Sequence, residues 1–294
     1  MQGLQDKPAL RTIGDLLDRY LLEVVPTKAA KTATGNRAQI AKLRAVFADV
    51  ALGDLEPHHV YKYAAARGKP TAAKREIEVL SHAFTKAVEW GLLNAHPFKG
   101  EVRIANPKPR ARYVEDWEIA EALALKPNKR KGSALMVQAY LRLKLLTGMR
   151  QRDLLLLTAS DLREDGIHVT PSKTAGSTGK RVIYAWSDDL RAAVDAARMA
   201  RPCMSPYLFC TLQGRCFVDA DGTAGNWNNI WQNFMARVLA ETRVSERFTE
   251  HDLRAKVGSD AESLARAQEL LAHADPGTTK KVYRRKAEVV KPTK

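Results

Sequence analysis

Six side chains in the second half of the chain are of types that bind anions, move protons or attack electrophiles: Arg150, Lys173, His251, Arg254, His273 and Tyr283. In "LLTGMRQRDLLLL", Arg150 follows a glycine break between two strongly apolar segments, where a solvated arginine is not expected. A guanidinium buried there is costly unless an anion or a hydrogen-bond network meets it. Asp153 lies one helical turn further on, so the stretch is compatible with an internal Arg150–Asp153 pair. It is equally compatible with an anion site in which Asp153 orients a neighbour. In "PSKTAGSTGKRV", Lys173 opens a turn, a place where most lysines are merely solvated. In "FTEHDLRAKVGSD", His251 and Arg254 are three apart and share a helix face. Near the end, "ELLAHADPGTTKKVYRRK" carries His273 and, ten residues later, Tyr283, with no other tyrosine after Tyr207.

The elements that must position these groups are legible from periodicity. Residues 11 to about 98 read as helical: "TIGDLLDRYLLEVV", "TGNRAQIAKLRAVF" and "TAAKREIEVLSHAFTKAVEWGLL" repeat apolar side chains at helical spacing. Bases stand on their polar sides, among them Arg37, Lys42, Lys74 and Arg75. A charged helix face is usually a solvated one, but together these bases suit a module that lies on phosphates. "HPFKGEVRIANPKPRARY", with Lys108, Arg110 and Arg112, reads as an extended basic linker. A boundary near residue 107 then gives a helical unit over 1–107 and a second unit over 108–294.

In the second unit "VEDWEIAEALAL" and "SALMVQAYLRLKLLTG" are helices, the latter stopped by Gly148, and "RQRDLLLLTASDL" starts another. "GIHVTPSKTAGSTGKRVIYAW" alternates as a strand pair around a polar turn, and the remainder from Asp188 is helical in rhythm with a loop from Arg201 to Gly222. The fold class expected is mainly α with a small antiparallel sheet.

Composition narrows the partner. Lys and Arg number 48 against 33 for Asp and Glu, a formal charge of +15, which favours a polyanion. No apolar run approaches the ~20 residues that span a bilayer, so nucleic acid is the better candidate than a membrane surface. The opening "MQGLQDKPALRT" has no signal-peptide core. Cys203, Cys210 and Cys216 are odd in number and lack CxxC spacing, so neither structural zinc nor a disulfide framework is expected. A reducing cytoplasm is the expected compartment.

The order arginine, lysine, His-x-x-Arg, histidine, tyrosine resembles the tyrosine recombinases, the phage-integrase family of site-specific DNA recombinases. "TGMRQRD" is similar to the family's TGLRxxE/D box, "SKT" to its hairpin lysine, "HDLR" to its HxxR box and "LLAHAD…TTKKVY" to its LGHxx…TxxxY ending. The likeness covers the catalytic half and extends more loosely to the family's helical core-binding domain. Two departures stand out: Ala272 replaces the usual glycine, and the gap to the tyrosine is one residue longer than the commonest spacing.

The resemblance implies that Tyr283 attacks the scissile phosphorus of double-stranded DNA, giving a 3′-phosphotyrosyl link and a free 5′-hydroxyl. Negative charge then builds on oxygens that are already anionic, and fixed donors must meet it. Arg150 and Arg254, planar and always charged, are the candidates. A free tyrosine has a pKa of about 10, so it needs a base, for which His251 is the candidate. Lys173 is the implied general acid, His273 a phosphate contact, and Asp153 an orienting group. Neither metal, cofactor nor ATP is called for.

The resemblance further implies four protomers on two paired sites, a monomer when free, and a helical and a catalytic module closing on a duplex. A host DNA-bending protein or a directionality factor is a further class of partner. Three rival readings compete with this one. A type IB topoisomerase uses the same residues but religates the original strand. A non-catalytic DNA-binding protein would keep the boxes as phosphate anchors. A metal-dependent nuclease or transposase needs clustered carboxylates, and Asp153, Glu250 and Asp252 are scattered.

Overall fold

The computed structural model describes residues 11–106, 108, 110–127, 133–172, 179–272, 277 and 279–286, the side chain of Lys281 apart. Lys173, His273 and the tail beyond 286 lie outside these residues. The chain divides into two units, Met1–Lys108 and Pro109–Lys294.

In the first unit, α1 (Ile13–Glu23), α2 (Ala30–Phe47), α3 (Pro57–Arg67) and α4 (Pro70–Glu89) pack around one apolar core. Thr12 starts α1 by a capping box: its hydroxyl accepts from the Asp15 N–H at 3.2 Å while the Asp15 carboxylate accepts from the Thr12 N–H at 3.0 Å. Leu16, Leu17 and Tyr20 of α1, Leu43 and Phe47 of α2, and Leu80 and Phe84 of α4 then recur on the buried sides. The segment read as an extended linker is only partly one. Phe98 is buried in this core, Lys74 Nζ donates to the Ile104 carbonyl at 3.0 Å, and Tyr61 bridges the Glu101 carbonyl and the Arg103 N–H. An apolar ring and the carbonyls around it find partners locally, which the count of prolines and bases does not reveal.

The second unit is built around α6 (Ser133–Thr147), which is covered on nearly every side. Against it lie α5 (Asp116–Ala124), α8 (Asp188–Met199), α9 (Gly225–Glu241) and α10 (Glu250–Asp260). The Tyr140 ring of α6 sits 4.5 Å from Trp227 of α9, centroid to centroid, and 5.4 Å from Phe209 in the loop before it. Strands β1 (Gly166–Val169) and β2 (Val182–Ala185) pair antiparallel with Ile167 opposite Tyr184. The fold is thus mainly α with a small antiparallel sheet, as expected.

The helix expected after Gly148 is cut short: α7 covers only Gln151–Leu155. Beyond it, Thr158 and Asp161 hydrogen-bond each other's backbone, and the Leu157 carbonyl and Ala159 N–H pair with Leu208 and Pro206. Short polar side chains and a neighbouring loop take up the groups a longer helix would need. Helix α11 (Leu264–Leu270) and a π-helical turn, Thr279–Tyr283, complete the unit. Among the described residues no helix is long and apolar enough to cross a membrane.

Candidate active site

Arg254 lies on α10, 3% exposed. Its guanidinium donates to two carbonyls, that of Gly148 just past α6 and that of Leu271 at the end of α11. Both are helix C-termini, where unsatisfied carbonyls favour a cation, and this is what makes burial of the charge tolerable. Gly148 has φ +63°, and a Cβ there would meet Leu271 Cδ2 at 3.0 Å and Val257 Cγ1 at 3.1 Å. Glycine is therefore needed for the turn and for the close approach of α10 and α11.

Arg150 is the residue before α7, and its guanidinium reaches within 4.0 Å of the buried Asp153 carboxylate. It is also an electrostatic neighbour of Arg254. Burial lowers the Arg254 pKa first, and the Arg150 charge lowers it next, while the Tyr283 phenol opposes both by its charge and a side-chain hydrogen bond. Both arginines act on Tyr184 of β2, whose phenol is pushed up to about 12 by burial against their pull and donates to the Leu270 carbonyl at 3.2 Å. Two cations facing one another constitute a site that an anion would relieve.

Tyr283 is buried at the end of the π-helical turn. Its ring centroid lies 5.1 Å from that of His251 and 5.6 Å from the Arg254 guanidinium carbon. Gly258 permits this: a Cβ on that α10 residue would stand 3.0 Å from Tyr283 Cβ. Ser259 Oγ donates to the Tyr283 carbonyl at 2.8 Å. His251 is exposed at the start of α10, yet the packing around its ring lowers its pKa by desolvation, and Arg285 and Arg254 lower it further. The imidazole is therefore neutral at pH 7 and can accept a proton.

Asp153 does not only face Arg150. Its Oδ1 accepts from the Ser172 N–H at 2.9 Å, which fixes the backbone immediately before Lys173. Ala272, the departure from the glycine pattern, has φ +47°, so the chain uses the left-handed backbone that glycine would adopt without strain.

Of the basic residues singled out for DNA contact, Arg37, Lys42, Arg75 and Lys108 are exposed, and Lys74 is held by the Ile104 carbonyl. Arg110 is half-exposed but pairs with Asp252 at 3.1 Å. Arg112 pairs with Glu118, six residues on, at 2.5 Å and with the distant Glu246 at 3.3 Å.

The sequence reading missed a buried cluster behind the site. Lys144 of α6, 2% exposed, donates to the Met149 carbonyl at 3.1 Å and lies 3.6 Å from Glu250. Glu250 also accepts from the Tyr140 hydroxyl, from Gln151 at 2.7 Å and from Trp227 at 3.0 Å. The signal was a second charge, Lys144, beside Arg142 in a helix otherwise almost entirely apolar. Among the described residues no cluster of histidine, cysteine and carboxylate groups could hold a metal ion.

An arginine pair, a neutral imidazole and a buried tyrosine on a mainly α scaffold define a protein class built to hold an anion against a phenol. The profile of the phage integrase family matches residues 118–289. An integrase/recombinase of Haemophilus influenzae is 31% identical over 112 residues, 37% of this chain and 30% of that protein, so the match spans about a third of that relative's length. A lambda integrase dimer bound to a COC′ core site has the same fold, with a TM-score of 0.76 at 19% identity over 96% of this chain and 100% of that one. A lambda integrase tetramer bound to a Holliday junction gives 0.75 at 20% identity, over 98% and 81%. The Tn1549 transposon integrase in complex with circular intermediate DNA gives 0.74 at 14% identity, over 96% and 97%. The chain belongs to the phage integrase family, the tyrosine recombinases.

Proposed function

We propose that this chain is a site-specific DNA recombinase of the phage or prophage integrase type. It cuts and rejoins duplex DNA through a 3′-phosphotyrosyl intermediate. One observation carries the reading: His251 and Arg254 stand against the buried Tyr283 ring and Arg150 is an electrostatic neighbour of Arg254, although the four are spread over more than a hundred residues of sequence.

The scissile phosphate sits between Arg150 and Arg254, whose fixed N–H donors meet the charge that develops on its non-bridging oxygens. The Tyr283 oxygen attacks phosphorus, its proton passes to neutral His251, and the bond from phosphorus to the 5′ oxygen breaks. Lys173 protonates that oxygen, and Asp153 supports it by fixing the Ser172 backbone. His273 adds a phosphate contact. The new phosphotyrosine diester keeps the energy of the old bond, so a second strand's 5′-hydroxyl reverses the attack without ATP. The arginines supply the positive charge that a metal would otherwise bring.

The first unit contributes phosphate contacts through exposed Arg37, Lys42 and Arg75, with Lys108 beyond them. Exchange between two duplexes calls for four copies, a state in which the structurally similar lambda integrase is known on a Holliday junction. The reaction takes place on DNA in the cytoplasm of a bacterial host. Incubation with a nicked suicide duplex, followed by peptide mapping of the covalent adduct, tests the reading. An adduct on Tyr283 that Tyr283→Phe abolishes supports it, and an adduct on another residue refutes it.

A further inference from the structure

The residue two beyond the tyrosine has no role in the chemistry above, yet it is one of the most enclosed charges in the unit. The Arg285 side chain is 4% exposed, although the run "KKVYRRK" would put it on a solvated basic tail. Its Nη1 donates to Asp252 Oδ1 at 2.6 Å and to the Arg112 carbonyl at 3.0 Å, and its Nε to the Val282 carbonyl at 3.0 Å. Its backbone N–H donates to Ser259 Oγ at 2.7 Å, the hydroxyl that also holds the Tyr283 carbonyl. Asp252 is fully buried between His251 and Arg254 in the HxxR box. Burial raises its pKa, but Thr249, Arg285 and Arg110 outweigh this and keep it ionised.

We propose that Arg285 is a positioning residue for the Tyr283 nucleophile. By seating the segment after the tyrosine on Asp252, it locks the π-helical turn and the His-x-x-Arg helix in one register and makes the tyrosine act within its own protomer's site. The inference rests on the recombinase reading for its consequence and on geometry for its mechanism. A buried guanidinium held at once by Asp252 and by the Arg112 and Val282 carbonyls fixes register in this way. The neighbouring Lys286–Asp260 contact, 3.5 Å long and with the lysine side chain 57% exposed, is the kind of pair that solvent leaves weak. Asp252 keeps Arg110 and the Thr249 cap when Arg285 is removed, so the fold has a route to survive the substitution.

The full chain is compared with Arg285→Met, Arg285→Lys and Lys286→Gln, each checked by thermal melting. The probe is a nicked suicide duplex bearing the site that the wild-type chain selects from a randomised pool. With protein saturating, Arg285→Met should slow formation of the Tyr283 adduct by about 10²-fold, the effect of a small misplacement of a reacting group. Arg285→Lys, which keeps the charge and loses the fork, should fall between, and Lys286→Gln should match wild type.

Two readouts need no DNA. Modification of Tyr283 by N-acetylimidazole should accelerate in Arg285→Met only. The His251 pKa, followed by NMR and assigned with His251→Gln, should rise in Arg285→Met. The groups facing that ring are Asp252 and Arg254 on its own helix, Lys144 of α6, Tyr283 and Arg285, and of the charges only Arg285 is deleted. A residue that merely supports the fold would lower the melting temperature and leave the rates of adduct formation and tyrosine modification, measured well below the melt, where they were. Wild-type rates of adduct formation and tyrosine modification in both Arg285 variants overturn the inference. Absence of any Tyr283 adduct in the wild type overturns the recombinase reading instead, and the DNA-free measurements still judge Arg285.

Discussion

Lys144→Met separates a buried charge from the fold around it. Burial pulls the Lys144 pKa from 10.5 to about 8, against the opposing pull of Glu250 and with the help of Arg254. That difference corresponds to about 3 kcal/mol by which the charged amine is disfavoured in the native state. Because the folded pKa lies below the unfolded one, the native state binds fewer protons between about pH 8 and 10.5, and stability rises with pH across that window. From pH 7 to pH 9 the wild type should gain about 1.4 kcal/mol relative to Lys144→Met, which lacks the titrating group. The variant leaves Glu250 with its Tyr140, Gln151 and Trp227 donors, so it does not strand a carboxylate. Urea unfolding read by tryptophan fluorescence is the assay, since four of the five tryptophans lie in the second unit and Trp227 touches Glu250. A wild-type-minus-variant difference that stays flat from pH 7 to pH 9 refutes the reasoning.

Other expectations are as direct. Gly148→Ala, at φ +63° with two side chains within 3.1 Å of the new carbon, should lose more than about 1 kcal/mol in a thermal melt, whereas Ala272→Gly, at φ +47°, should gain about 1 kcal/mol. The acid limb of the single-turnover cleavage rate should lie below the ordinary imidazole value of 6.5, because burial, Arg285 and Arg254 hold His251 below it. The same depression makes the native state reluctant to take this proton, so the corresponding stability is lost as pH falls below 6.5. DNA affinity should fall linearly in log–log plots against salt, and Arg37→Gln combined with Lys42→Gln should flatten the slope by about 2. Cleavage should survive EDTA; its loss on chelation would return a metal-dependent mechanism to consideration.

Periodicity and glycine placement made the helices around Arg150 and Arg254 legible, because an apolar stripe and a C-terminal glycine are local signals. The ordered set of candidate residues stood out for the same reason, each box being short. The partners were not. The pairing of Arg112 with Glu118 and, above all, with Glu246 exists only in three dimensions. Arg285 was hidden in a run of bases, and only its distant partner Asp252 distinguishes it from Arg284 and Lys286. Lys144 gave no signal in the periodicity, because the helix that carries it is central and holds no polar face to contrast with.

On the proposed mechanism Arg254 joins two tasks. The same guanidinium ties off the ends of α6 and α11 and stands against the tyrosine. On the proposed mechanism a substitution at Arg254 removes a phosphate donor and two ties between helices together, so Tyr283→Phe is the cleaner inactive control. A descendant that abandoned recombination but kept this domain would still need the arginine, so its presence alone says that the fold is retained, while the tyrosine reports whether the chemistry is.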